Sequence, residues 1–79
     1  MGKALSEISN GTSVEVIDIN TSELKVKLME MGIVKGKSLK VLFRAPLGDP
    51  MAVDIEGYVL SLRKEEAELI NVELIDVAV

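Results

Sequence analysis

The stretch SLKVLFRAPLGDPMAVDIEGYVLSL, Ser38–Leu62, contains three strand patterns, one ending at a proline loop and two joined at a glycine turn. Leu39, Val41 and Phe43 alternate with Ser38, Lys40, Leu42 and Arg44, the period of two expected of a strand with one buried face. Next comes Arg44-Ala45-Pro46-Leu47-Gly48-Asp49-Pro50-Met51. Proline holds φ at roughly −65° and removes a backbone donor, whereas glycine permits positive φ. Ala45 and Asp49 each precede a proline and are pushed toward extended backbone. The segment therefore reads as a stiff loop with few conformers and with Leu47 near its tip. Stiff loops on small scaffolds often carry recognition. Beyond it, Ala52 to Glu56 and Tyr58 to Leu62 flank Glu56-Gly57, a two-residue hairpin turn. Val53 and Ile55 share one face, and Tyr58, Leu60 and Leu62 are expected to continue it inward on the partner strand.

Upstream, Val14 to Ile19 is β-branched and apolar and reads as the first strand. Its apolar phase shifts between Val16 and Ile17, which predicts a bulge or burial on both faces. Asn20 with Glu23 three residues later matches a helix N-cap and its capping-box partner. Leu24, Leu28 and Met31 then form the apolar stripe of a short helix, and Gly32 takes the position of a C-cap glycine. Val34-Lys35-Gly36-Lys37 is a turn, with Gly36 where positive φ is needed. Downstream, Lys64 to Leu69 reads as a single acidic helical turn with Ala67 and Leu69 as its buried side. Ile70, Val72 and Leu74 alternate with Asn71 and Glu73 and close the sheet. Five short strands, one helix after the first and one helical turn before the last predict a mainly β fold, a small and strongly bent barrel in one domain, residues 1–79.

Composition excludes several functions. The 79 residues contain no cysteine and no histidine, which removes disulfides, thiolate metal sites, the commonest metal ligand and the commonest general base. Nine basic residues against thirteen acidic give a net charge of −4, and one tyrosine, one phenylalanine and no tryptophan offer no stacking platform. Nucleic acid is therefore not an expected partner. Apolar runs fall far short of the roughly 20 residues that span a bilayer. Met1-Gly2-Lys3-Ala4-Leu5 runs straight into polar residues, unlike a secretory leader, so the expectation is a cytoplasmic domain with no membrane insertion. Yet 48% of residues are hydrophobic and the mean hydropathy is positive. A domain this small has little interior, so some of that apolar surface stays accessible to a partner.

Leu5-Ser6-Glu7 with Gly11, Leu28-Met29-Glu30-Met31-Gly32-Ile33 with Gly36, the loop Arg44 to Pro50, Gly57 with Leu60-Ser61-Leu62-Arg63, then Glu66-Ala67, Ile70 and Val72 follow one another at characteristic spacing. In that ordered set the chain resembles FeoA, a family of small cytoplasmic proteins of bacterial ferrous iron transport. Two positions depart from the family pattern: Lys27 where arginine is frequent, and Val34-Lys35 in place of a frequent x-Pro before Gly36. Lysine cannot reproduce arginine's planar fork, so no arginine-specific contact is expected at position 27.

The resemblance implies a barrel of the Src-homology-3 (SH3) type and an accessory, non-enzymatic role beside FeoB, a membrane ferrous iron transporter with a cytosolic GTP-binding domain. The implied partner surface is the loop Pro46, Leu47, Gly48, Asp49 and Pro50, flanked by Arg44 and Met51. Leu47 would be the apolar anchor, with Arg44 and Asp49 as orienting charges at the rim. The alternative is a free-standing SH3-like regulatory or peptide-binding domain, related to the C-terminal domain of metal-dependent repressors and using the same loop. Lys25, Val26 and Lys27 lie off the apolar stripe as a solvated face, and Met29 and Met31 read as packing rather than a soft-metal site. Glu65, Glu66 and Glu68 are explained by the helix dipole. No catalytic residue, cofactor or resident metal is expected, and iron would be the partner's cargo. An exposed edge strand could also pair two copies weakly.

Overall fold

Six strands pair in one antiparallel sheet among residues 2–75, which the computed structural model describes. In chain order these are β1 (Lys3–Ala4), a 3-10 turn (Leu5–Glu7), β2 (Ser13–Ile19), α1 (Lys25–Glu30), β3 (Ser38–Arg44), β4 (Met51–Ile55), β5 (Tyr58–Leu62), α2 (Lys64–Ala67) and β6 (Ile70–Leu74). The sheet order is β1-β6-β2-β3-β4-β5, so the chain's last strand lies between its first two. The expected mainly β fold with its two short helices is present. It gains one strand: β1 is a two-residue pairing of Lys3 with Val72 and Ala4 with Asn71, too short to leave a periodic signal.

One face of the sheet encloses a single core. Leu5, Val14, Val16, Leu28, Ile33, Val41, Val53, Leu62, Ile70 and Val72 are buried there, with Leu39 and Ile55. Each such side chain contributes about 1.5–3 kcal/mol through the apolar surface it removes from water. Ala67 of α2 is buried and Leu69 packs against the same cluster, as the sequence predicts.

Where the strands depart from regularity they do so for local reasons. The register of β2 against β6 shifts between Val16 and Asp18, the bulge that the apolar phase change at Ile17 predicts. A second shift, between Val41 and Phe43 against β4, has no counterpart in the sequence reading. It inverts the phase of the strand end, so Phe43 is 59% exposed rather than inward, and Arg44 pairs with Met51. Tyr58 and Leu74, also expected inward, are 52% and 63% exposed; each stands at an end of its strand.

Helix α1 starts later than its sequence suggests. Leu24, not Asn20, is the N-cap residue, and the Ser22 hydroxyl accepts the Leu24 N–H at 3.2 Å. Asn20 instead accepts from Asn71 Nδ2 through its side-chain oxygen at 2.9 Å, while its backbone N–H donates to the Leu69 carbonyl at 2.8 Å and prolongs β2 beside β6. Leu28 is buried, while Leu24 and Met31 of the same stripe are half-buried. Gly32 follows with φ 96°, the left-handed geometry of a helix C-terminus. Glu56 and Gly57, with φ of 49° and 96°, close the β4–β5 hairpin in the mirror-image turn that matches strand twist.

Candidate functional site: the proline loop and its anchors

The loop between β3 and β4 is held at its base and free at its tip. The Ala45 N–H donates to the Pro50 carbonyl at 3.0 Å, which extends the ladder one step beyond the Arg44–Met51 pair. The Gly48 N–H donates back to the Ala45 carbonyl at 2.7 Å. These bonds define a four-residue turn with Pro46 second and Leu47 third, and proline is favoured at that second position because its φ is already set. The Asp49–Pro50 peptide is cis. Leu47 is 97% exposed, and Pro46, Gly48 and Asp49 are exposed around it. An isobutyl group held almost wholly in water on a conformationally restricted turn has its ordering cost already met in the free protein.

The flanking residues have different duties. The Arg44 guanidinium donates to Asn10 Oδ1 at 2.6 Å, to the Ile8 carbonyl at 2.7 Å and to the Ser6 carbonyl at 3.0 Å. Arg44 therefore ties the 6–10 segment to the loop base instead of standing at a rim. The bulge at Leu42 makes this reach possible, since it brings Arg44 to the same side as buried Met51. Asp49 Oδ1 accepts the Lys64 N–H at 2.9 Å and so satisfies a free donor in the first turn of α2. Met51 is 3% exposed and belongs to the core, and Pro50 is half-buried. Of the seven residues expected at this surface, the structure brings Pro46, Leu47, Gly48 and Asp49 to solvent. Arg44, Pro50 and Met51 lie beneath them. A shallow depression of about 230 Å³, lined by Ser6, Arg44, Leu47, Gly48, Met51 and Lys64, runs beside the turn.

A second polar anchor escapes the sequence reading. Glu66 is buried at 4% exposure, with Oε2 accepting from Lys27 Nζ at 2.8 Å and Oε1 from the Arg63 N–H at 2.8 Å. It joins α1 to the start of α2. The Lys27 hydrogen bond, and then the Arg63 N–H, hold its carboxyl below the usual value near 4.5, against the opposing effect of burial. The signal for this lay in Arg63-x-x-Glu66, the spacing by which a third-position glutamate reaches back to a cap N–H. Lys27 thus makes a point-charge contact, for which the fork of arginine is not required. Met31 packs on the core and Met29 is 46% exposed. Among the described residues, no group of three or more acidic side chains is placed to hold a metal ion. No helix among them is long and apolar enough to cross a membrane.

A family model, the FeoA domain, matches residues 3–74. The chain belongs to the FeoA family. An Fe(2+) transport protein A/Fe(2+) transporter FeoB fusion protein of Porphyromonas gingivalis is 39% identical over 72 residues, which are 90% of this chain and 8% of that protein. An FeoA-like protein from Clostridium acetobutylicum, solved by NMR, superposes with a TM-score of 0.90 at 42% identity, covering 98% of this chain and 91% of that one. The crystal structure of Stenotrophomonas maltophilia FeoA complexed with zinc, described as a prokaryotic SH3 domain protein, gives 0.77 at 28% identity over 92% of this chain and 89% of that one. The expected SH3-like architecture is thereby established. The same fold recurs in a manganese-dependent transcriptional repressor, at 22% identity and a TM-score of 0.87 over 94% of this chain and 37% of the repressor. That likeness concerns architecture alone. For an FeoA domain, the proline loop and the Arg44 and Glu66 anchors are parts of one small SH3-like body.

Proposed function

We propose that this chain is a non-enzymatic accessory protein of ferrous iron uptake that docks, through Pro46, Leu47, Gly48 and Asp49, on the cytosolic side of a FeoB-type transporter. The observation that carries the reading is Leu47, 97% exposed on a turn fixed from below by Arg44, Pro50 and Met51. A fully solvated leucine contributes nothing to the fold. Inserted into a partner's apolar pocket it would contribute about 1.5–3 kcal/mol. The Porphyromonas gingivalis protein, in which transport protein A and FeoB form one chain, supports the choice of partner, since fusion keeps two associating units at high effective concentration.

Calorimetric titration of the chain into the purified cytosolic GTP-binding region of a FeoB-type transporter, with GDP and with a GTP analogue, tests this. Saturable heat that is lost in Leu47→Glu is the expected result. Saturable heat retained in Leu47→Glu would move the contact elsewhere on the barrel, and absence of binding in both nucleotide states would contradict docking on that region.

A further inference from the structure

Arg44 gives all its hydrogen bonds to neutral oxygens, the Asn10 side-chain carbonyl and the Ser6 and Ile8 backbone carbonyls. The ion pairs among the described residues are Lys27–Glu66 and Lys37–Glu56, so no carboxylate there offsets the guanidinium charge. Both terminal nitrogens of Arg44 donate, whereas Nε donates to none of the described residues. No buried side-chain nitrogen among them lacks a partner, so Nε meets solvent. Exposed Lys64 shares with Arg44 the lining of the 230 Å³ depression beside the turn, and Leu47 and Met51 supply its apolar part. Asp49, the loop's own acid, is turned to the Lys64 N–H and lines a different depression with Glu65 and Glu68. The chain carries a net charge of −4, and two further depressions on its described surface also include an acid, Asp54 and Glu56 in one and Asp18 in the other. The depression beside the proline turn has two cations and no acid.

We propose that this depression takes a carboxylate side chain, aspartate or glutamate, carried next to an apolar residue on the protein segment that Leu47 meets. The inference rests on the docking reading for the source of that segment, and on the lining of the depression for its chemistry. Arg44 acts from beneath the turn, where its bonds to the 6–10 segment hold the guanidinium in place before any ligand arrives. The charge, rather than the planar fork, is what it supplies to the ligand, and Lys64 adds a second. A carboxylate entering between them forms charge-assisted contacts that a neutral amide cannot equal. The apolar lining selects a protein segment over a free anion. A small anion would leave Leu47 in water, whereas an acidic residue with an apolar neighbour covers the leucine while its carboxylate reaches the cations.

NMR titration of the isotopically labelled chain with acetyl-Glu-Leu-amide, and in parallel with acetyl-Gln-Leu-amide, into the millimolar range tests the proposal without a transporter. The chain's arginines are Arg44 and Arg63, so the half-buried site is read through its Nε–H signal beside an exposed control. The glutamate peptide should move the Arg44 Nε–H and Leu47 methyl signals saturably, with Arg63 moving less. It should bind roughly tenfold more tightly than the glutamine peptide, the difference between a charge-assisted and a neutral contact. Lys64→Gln should weaken it about threefold, and added salt should narrow the gap between the peptides. Equal responses to the two peptides, a larger shift at Arg63 than at Arg44, or an unmoved Arg44 signal would overturn the assignment. Those results would leave docking by Leu47 standing if the transporter's cytosolic region still gives saturable heat. Peptide binding as predicted, with no heat from that region, would instead keep the carboxylate site and remove that partner.

Discussion

Buried Glu66 and half-buried Arg44 each tie separate segments together, and each responds to substitution through its hydrogen-bond partners. Glu66 sits at 4% exposure with both oxygens occupied, one by Lys27 and one by the Arg63 N–H. Glu66→Ala removes the carboxylate that accepts the Arg63 N–H and the cross-link to α1, and is expected to cost about 1–3 kcal/mol in urea unfolding. Its depressed pKa also has a sign. The unfolded chain binds the proton more readily than the folded one, so the stabilisation is complete above the ordinary value near 4.5. It drains away as pH falls below that value through the folded pKa. Glu66→Gln should flatten this acid limb of the stability curve while leaving its slope near neutral pH unchanged. Arg44 makes three hydrogen bonds from one guanidinium to the 6–10 segment. Lysine has no planar fork, so Arg44→Lys should lower stability by about 1–2 kcal/mol in the same assay.

At the scale of elements, the turns show how backbone geometry constrains the sequence. Gly57 has φ 96°, and a methyl group added there meets no atom within 4 Å. The cost of Gly57→Ala is therefore purely conformational, about 1 kcal/mol or somewhat more. Gly32 has the same φ, but there an added methyl lies 3.2 Å from the Tyr58 hydroxyl oxygen. Gly32→Ala should therefore lower the thermal midpoint further than Gly57→Ala, a comparison one melting series settles. The same elements show what a sequence discloses. The bulge at Ile17 was legible because two adjacent apolar residues break a period of two. The bulge at Leu42 was not, because in Val41-Leu42-Phe43 all three residues are apolar and either phase fits. Asn20 resembles a cap in sequence, yet its side-chain oxygen is taken by Asn71 and Ser22 takes over near the helix start. The proline loop could be located from composition alone. The roles of Arg44 and Asp49 could not, since each depends on a partner at least 15 residues away, and for Glu66 only the spacing to Arg63 was there to read, not its burial or its tie to Lys27.

The whole molecule ties the base of the proline loop into the barrel through Arg44, Asp49 and Pro50 and leaves Leu47 at the tip outside its packing. Leu47 is 97% exposed, so Leu47→Glu should change the unfolding free energy by less than about 0.5 kcal/mol. Arg44→Lys should weaken the fold, by contrast, and affect docking only through it. That separation distinguishes a turn whose leucine stands in solvent from one folded back to cover the barrel end. The direct test is NMR mapping of the isotopically labelled chain during addition of the unlabelled cytosolic region of a FeoB-type transporter. The account predicts that shift changes or line broadening centre on Ala45 to Asp49, with smaller effects at Ser6 and Lys64 beside the turn. Perturbations centred elsewhere, with the Leu47 and Gly48 amides unmoved at saturation, would contradict it.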